Sequence, residues 1–106
     1  MLFRSVSAAA AIRPGIKELS CDDQTAFRIE MKSGTYCYGF DGIVLFEANA
    51  TRSVCAGNNY GTLRYYDPEH NEYHTWDFAP GHVAGWTYYV DVDSLTITGY
   101  SGSDKC

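Results

Sequence analysis

Alternating apolar and polar positions mark the clearest predicted strand of this chain. In residues 25–32 apolar side chains alternate with polar or charged ones, which is the two-residue period of a half-buried strand. Ser33-Gly34 then supplies a turn, and residues 35–38 can return antiparallel. The pattern therefore predicts a β-hairpin that brings Cys21 and Cys37 near the ends of its paired segments.

Short strand signals continue to the end of the chain, and no helical period is convincing. The continuous apolar run at residues 43–46 predicts a fully buried strand. Further strands are predicted at residues 52–55, 62–66, 72–78, 86–92 and 94–98. Short strands separated by turn signals every 8 to 12 residues or so are typical of a β-sandwich or small barrel, often with Greek-key connections.

Length and N-terminal composition indicate one domain behind a short leader. A chain of 106 residues lies within the usual size of a single domain. The first 15 residues combine two arginines, a weak apolar run and a Pro-Gly break, which resembles the tail of a targeting segment. We therefore expect residues 1–18 to be a leader remnant or flexible tail and residues 19–106 to form the domain. No apolar run approaches the roughly 20 residues of a membrane span.

Charge and cysteine content narrow the function classes. The net charge of -5 and the absence of a basic run argue against nucleic acid or anionic lipid as the main partner. Four cysteines in a short chain indicate two disulfides and an oxidising compartment, and they allow three connectivities. Because the cysteine spacings that zinc sites use are missing, the sequence favours disulfides over metal ligation.

An ordered set of short motifs resembles a known family over about residues 20 to 100. The motifs are Cys37-Tyr38-Gly39, Asp41-Gly42, Gly57-Asn58-Asn59 with Thr62-Leu63, Trp76, Pro80-Gly81-His82, and residues 94–97 before Tyr100. Their order is similar to that of the Streptomyces killer-toxin-like and antifungal proteins, which are single-domain members of the βγ-crystallin superfamily.

The resemblance implies an all-β fold, namely a two-sheet Greek-key β-sandwich of βγ-crystallin type stapled by disulfides. It also implies a Cys21–Cys37 bridge, secretion to the extracellular space, and antifungal activity through binding of fungal cell-wall polysaccharide, chitin or glucan. Cys55 and Cys106 are additional to the family pattern, and we expect them to pair because that bridge would hold the C-terminal tail. The loop at residues 83–91 looks longer than in the family, and we expect a monomer.

The predicted carbohydrate site consists of Trp76, Pro80, Gly81, His82 and Trp86. Sugar rings present apolar C–H faces that pack on aromatic planes, and an exposed Pro-Gly turn with a histidine can hydrogen-bond hydroxyls. The resemblance also places carbohydrate contact at this turn.

A second constellation resembles the βγ-crystallin calcium loop. Asn58, Asn59 and Thr62 would supply oxygen ligands, but Leu63 occupies the position of the final Ser and neither Asn carries charge. We therefore favour an Asn-rich structural turn over a calcium site, and we expect no cofactor.

Two other constellations have simpler explanations than chemistry. His70, His74 and His82 invite a zinc hypothesis, but a spacing of four suits a helix face rather than a strand. Asp91 and Asp93 could suggest the paired carboxylates of a glycosidase, but we favour a solvated strand edge as their explanation. No nucleophile elbow, P-loop or dinucleotide fingerprint is present, so we expect no enzyme.

Two alternative functions stay open. The residues 83–88 loop could enter the active site of a secreted protease, which would make the chain an inhibitor. The chain could also be a calcium-binding structural module of crystallin type. Asn49-Ala50-Thr51 forms a glycosylation sequon, which would matter only in a eukaryotic secretory route.

Overall fold

The computed structural model describes residues 9–13 and 15–106, and the regular elements among them are all β-strands. The strands are β1 Ala9–Arg13, β2 Lys17–Leu19, β3 Phe27–Met31, β4 Gly34–Gly39, β5 Gly42–Phe46, β6 Thr51–Cys55, β7 Asn59–Asp67, β8 Glu72–Phe78 and β9 Val83–Tyr100. Every strand pairing is antiparallel, so the prediction of an all-β fold is confirmed. The described residues contain no helix with the length and hydrophobicity needed to cross a membrane.

The strand pairings form two groups that share β9. Sheet A has the order β1-β5-β9-β7-β8, and sheet B has the order β2-β4-β3-β6-β9. The start of β9 pairs with β6, where Val83 lies opposite Cys55. Its later part lies between β5 and β7, with Leu95 opposite both Val44 and Leu63. One strand therefore connects the two layers covalently and by hydrogen bonds.

The core lies between the inner faces of the two sheets. Phe27 of sheet B contacts Phe78 of sheet A with ring centroids 4.7 Å apart, and Tyr38 meets Phe46 at 5.7 Å. Each fully buried apolar side chain of this size stabilises the fold by about 1.5–3 kcal/mol. The buried apolar residues are Ile16, Ala26, Phe27, Ile29, Met31, Tyr36, Cys37, Tyr38, Val44, Phe46, Val54, Ala56, Leu63, Phe78, Val90, Val92, Leu95 and Ile97.

The predicted hairpin is confirmed, and so are both disulfides. Strands β3 and β4 pair antiparallel around a tight turn. Cys21 is bonded to Cys37, which ties the segment before β3 to β4. Cys55 is bonded to Cys106, which fastens the C-terminal tail to the end of β6.

The prediction that residues 43–46 are fully buried is wrong. They form β5, but Ile43 and Leu45 are each 40% exposed, while Val44 and Phe46 face the core. An antiparallel sheet that packs on one face leaves the other face open to solvent, so even a continuous apolar run alternates in burial.

The predicted division between residues 86–92 and 94–98, and the predicted loop at residues 83–91, are also wrong. Both segments belong to the single strand β9, which begins at Val83. Asp91 and Asp93 lie within this strand, and each carboxylate has a partner. The backbone N–H of Asn49 donates to Asp91, and Arg64 Nε lies 3.3 Å from an oxygen of Asp93.

Part of the expected leader or tail at residues 1–18 is paired in the fold. Strand β1 pairs with β5, and β2 pairs with β4. Residues 1–8 and Pro14, which the leader prediction also covers, lie outside the described residues.

Candidate functional site

Three strands place aromatic rings on one partly exposed surface, which we call the aromatic face. It consists of Tyr65 on β7, His74 and Trp76 on β8, and Trp86 on β9. The Tyr65 ring lies 4.9 Å from the Trp86 ring and 5.5 Å from the His74 ring between centroids. Tyr65, Trp76 and Trp86 pack against the core on one side and keep part of their surface in solvent.

Strand register explains why these side chains meet. In the β7–β8 hairpin Tyr65 lies opposite His74 and Leu63 opposite Trp76, so the four side chains share one face. Leu63 is fully buried, and Tyr65 continues the same row of side chains beyond the core. The N-terminal half of β9 supplies Trp86 from sheet B, which covers Tyr65 from the other side.

A hydrogen-bonded polar cluster borders the aromatic face. Asp67, two residues beyond Tyr65 on β7, accepts hydrogen bonds at Oδ2 from the Tyr88 hydroxyl at 2.9 Å and from His70 Nδ1 at 3.0 Å. The backbone N–H groups of Glu69 and His70 donate to its Oδ1. The carboxylate is therefore fixed beside the rings, with one exposed imidazole next to it.

Hydrogen bonds within the polar cluster shift the pKa values of Asp67 and Tyr88 in opposite directions. Burial by itself raises the pKa of Asp67, but the hydrogen bonds from Tyr88, His70 and the two backbone N–H groups outweigh it and lower the pKa below its ordinary value. The pKa of Tyr88 is raised, first because its hydroxyl donates to Asp67 and then because it is partly desolvated. Near neutral pH the pair is thus a carboxylate accepting from a phenol.

The structure brings two of the predicted carbohydrate residues together and places the other three elsewhere. Trp76 and Trp86 both belong to the aromatic face, whereas Pro80, Gly81 and His82 form the turn between β8 and β9. That turn packs on the loop before β7. Gly81 N donates to Gly57 O at 2.9 Å, and the carbonyl of His82 accepts from Ala56 N at 2.8 Å. The His82 ring accepts a hydrogen bond from Ala79 N within the turn.

The residues of the calcium hypothesis have three different sets of partners. Asn58 Nδ2 donates to Gly102 O at 3.1 Å. Asn59 is buried, and its Nδ2 donates to the carbonyls of Ala56 and Thr25. The hydroxyl of Thr62 donates to Asp77 across the β7–β8 pair. The bonds of the two asparagines stabilise the arch between β6 and β7, which is the role that we favoured for the Asn-rich turn.

Gly57 is required in that arch. Its φ of 60° lies in the left-handed region, and a Cβ there would lie 2.2 Å from the carbonyl oxygen of Thr25 and 2.4 Å from that of Ala26. Only a residue without a side chain allows the loop to approach the segment before β3 so closely.

The histidines of the zinc hypothesis are likewise engaged separately. His70 hydrogen-bonds to Asp67, His74 packs on Tyr65, and His82 accepts a hydrogen bond from Ala79 N in the β8–β9 turn. Within residues 9–13 and 15–106, no three His, Cys, Asp or Glu side chains are grouped so that they could hold a metal ion.

The sequon asparagine is a structural residue. Asn49 Nδ2 donates to the carbonyls of Glu47 and Val92, and its Oδ1 accepts from the N–H of Val92 and the hydroxyl of Thr51. Since both amide hydrogens are engaged and Thr51 is fully buried, the folded chain does not present this amide for glycosylation.

Sequence analysis missed Tyr65, Asp67 and His70 as members of one site. The available signal was the alternation of Tyr65 with Asp67 and of Trp86 with Tyr88, since side chains two apart share a strand face. That signal does not reveal which strands lie opposite each other.

No protein-family model and no curated protein matches this chain. Evidence for its function therefore comes from the residues and their geometry. The aromatic face presents partly exposed ring planes beside buried Asp67 and its hydrogen-bond partner Tyr88, and such planes can pack against the apolar surface of a ligand.

Proposed function

We propose that the chain is a secreted, killer-toxin-like antifungal protein that binds fungal cell-wall polysaccharide, chitin or glucan, through the aromatic face. The observation that supports this most directly is the contact of Tyr65 with both Trp86 and His74 beside the Asp67–Tyr88 pair. Sugar rings stack their C–H faces on such planes, and the hydrogen bond between buried Asp67 and Tyr88 holds the end of this surface in place.

The fold supports a relation to the βγ-crystallin superfamily with Greek-key connections. Consecutive strands leave one sheet for the other at β4 to β5, β5 to β6, β6 to β7 and β8 to β9. Repeated crossing between two antiparallel layers is what Greek-key connections produce. The two disulfides suit secretion, because such bonds persist in oxidising compartments.

Trp86 and Tyr65 form the stacking centre in this proposal. They meet at an angle of 61°, so together they present two differently inclined planes rather than one flat surface. A polymer that lies across them meets His74 on one side and, further along β9, the Tyr88 hydroxyl on the other. Retention then depends on ring planes more than on net charge, which suits an uncharged polysaccharide.

The test is a pull-down of oxidised protein with insoluble chitin, β-glucan and cellulose. We expect retention of the wild type on chitin or glucan, and a lower retained fraction for Trp86→Ala and for His74→Ala. His74 is the safer probe of the two because its side chain is 42% exposed and its loss leaves the core intact.

Tyr73→Ala is the matched control. Tyr73 is also aromatic and on β8, but it is 57% exposed and lies one residue from His74, hence on the opposite face of the strand. Its removal should leave retention unchanged. A Pro80→Ala, His82→Ala double variant tests the turn separately and should retain the polymer if the aromatic face is the site.

Absence of wild-type retention on all three polymers, or equal losses in Tyr73→Ala and His74→Ala, would contradict the proposed site. Antifungal action is tested with the same proteins in a fungal growth assay. Inhibition by the wild type and by Tyr73→Ala, but not by His74→Ala, would link growth arrest to polysaccharide contact.

A further inference from the structure

Arg28 lies between the two disulfides on the outer face of sheet B. On β3 it is directly opposite Cys37 of β4 on one side and Cys55 of β6 on the other. Both cysteines are cross-linked, to Cys21 and Cys106 respectively. A cationic side chain is thus held between two covalent bridges on the outer face of sheet B.

A groove of about 450 Å³ opens beside this arginine. Its lining includes Glu30, Ser53, Val83 and Gly85, together with the Cys55–Cys106 bridge. The groove is open at its base because Ser53 and Gly85 are small and lie opposite each other. A Cβ added at Gly85 would be no closer than 3.7 Å to any other atom outside its chain neighbours. Val83 is 69% exposed at the rim.

The guanidinium group of Arg28 is incompletely satisfied. Its Nε is shielded from solvent and has no hydrogen-bond partner among the described residues. Neither Glu30 nor any other carboxylate in the part of the chain that the structure describes forms an ion pair with it. A buried polar nitrogen without a hydrogen-bond partner lowers the stability of the fold. The Nη groups of Arg28 stay available to a ligand in the groove.

We propose that this groove binds a single sugar acid, with the carboxylate on Arg28. A guanidinium recognises a carboxylate through paired hydrogen bonds, and the hydroxyls of the same sugar find acceptors in Glu30 and Ser53. The C–H face of the ring packs on exposed Val83. This site is separate from the aromatic face and does not depend on the proposed function.

The overall charge decides between one acidic sugar and a polyanion. The chain carries a net charge of -5, so a polymer with many carboxylates is repelled at long range. For a ligand with one carboxylate, this repulsion lowers the affinity only slightly, and the local attraction of Arg28 raises it. We therefore assign a terminal or isolated sugar acid, with glucuronic acid as the probe.

The experiment is a titration of the ¹⁵N-labelled, oxidised full chain with glucuronate, followed by amide resonances. Glucuronate should shift the amides of Ser53, Val83 and Gly85, whereas glucose and the methyl ester of glucuronic acid should not. Arg28→Gln should weaken glucuronate binding about tenfold or more, since a hydrogen bond to a charged group is lost. Raising the ionic strength should weaken wild-type binding in the same direction.

Arg64→Gln is the matched control. It removes the same charge from an exposed arginine on β7, which pairs with Asp93 in sheet A. It should leave the glucuronate titration unchanged. Thermal unfolding and intact mass show whether Arg28→Gln keeps its fold and both disulfides. Arg28→Lys keeps the positive charge but lacks the planar guanidinium that binds a carboxylate with two hydrogen bonds, so it should bind glucuronate with intermediate affinity.

Equal shifts with glucose, or glucuronate binding that is insensitive to ionic strength, would overturn the carboxylate assignment. Acetate binding as tightly as glucuronate would overturn the sugar assignment. A third probe is an acetylated peptide that contains one aspartate. If this peptide shifts these amides and glucuronate does not, the sugar-acid proposal is refuted in favour of an acidic protein partner.

Discussion

Replacement of Asn49 by alanine should be one of the most destabilising single changes outside the apolar core. The Asn49 side chain makes four hydrogen bonds, including a reciprocal pair with the backbone N–H and carbonyl of Val92 at 2.9 and 2.8 Å. This pair imitates one rung of a strand pairing, and it holds the β5–β6 connection against β9. Val92 and Thr51 are both fully buried, so water does not readily replace the lost amide.

The magnitude follows from those partners. A single hydrogen bond contributes about 1 kcal/mol net, and a buried group left without a partner costs about 1–3 kcal/mol. With two buried backbone groups of Val92 affected, Asn49→Ala should lower the free energy of unfolding by about 2–4 kcal/mol. In a domain of this size that corresponds to a drop in Tm of roughly 10 °C or more.

The assay is urea unfolding at pH 7 with both disulfides intact, and Asn58→Ala is the control. Asn58 makes one side-chain hydrogen bond, to the exposed tail at Gly102. Its replacement should cost less than about 1 kcal/mol. Equal effects of the two substitutions, or a loss below about 1 kcal/mol for Asn49→Ala, would refute the argument.

Asn49→Asp keeps the shape of the side chain but removes its hydrogen-bond donor, so it tests the contribution of donation alone. The new carboxylate accepts from the N–H of Val92 and from Thr51, but it cannot donate to the carbonyls of Glu47 and Val92. It also adds a negative charge near Asp91, whose Oδ1 accepts from the backbone N–H of residue 49. The variant should be destabilised at pH 7 and recover part of its stability as the new carboxylate is protonated. A pH-independent deficit would argue against this account.

Two further predictions concern the arch and the polar cluster. Gly57→Ala should lower the free energy of unfolding by about 2–5 kcal/mol, because it adds both left-handed strain and a clash with two backbone carbonyls. Gly102→Ala, with a φ of 74° and open space around it, should cost only about 1–2 kcal/mol in the same urea unfolding assay. Because the pKa of Asp67 is lowered in the fold, its contribution is present above the ordinary value of about 3.9 and is lost as the pH falls through the lowered value. Tyr88→Phe should therefore reduce stability at neutral pH and flatten its loss in acid, and an unchanged acid limb of the stability curve would contradict this.

Local features of the fold could be predicted from the sequence because they depend on neighbouring residues. The β3–β4 hairpin follows from strict alternation, although its turn lies at Lys32-Ser33 and Gly34 already begins β4. Strand β8 has the predicted bounds Glu72–Phe78. The alternation of buried Leu95 and Ile97 with more exposed threonines in β9 is also as the pattern indicates. In each case the determining contacts span few residues.

Features that depend on register between distant strands could not be predicted in this way. Tyr65 meets Trp86 only because β9 crosses from one sheet to the other between its pairings with β6 and β7. The position of Arg28 between two bridges likewise requires β3 to lie between β4 and β6 in one particular register. No pair of residues in the sequence signals either alignment.

Strand β9 connects the two proposed sites because its two faces are occupied differently. Trp86 and Tyr88 point toward the aromatic face and the core, whereas Val83 and Gly85 line the groove beside Arg28, which Ala84 also contacts. Side chains alternate strictly along a strand, so a slip of one residue in the β6–β9 register would exchange the two sets. The bridge at Cys55 lies opposite Val83, at the start of this pairing. The second disulfide therefore lies where it stabilises the register on which both sites depend.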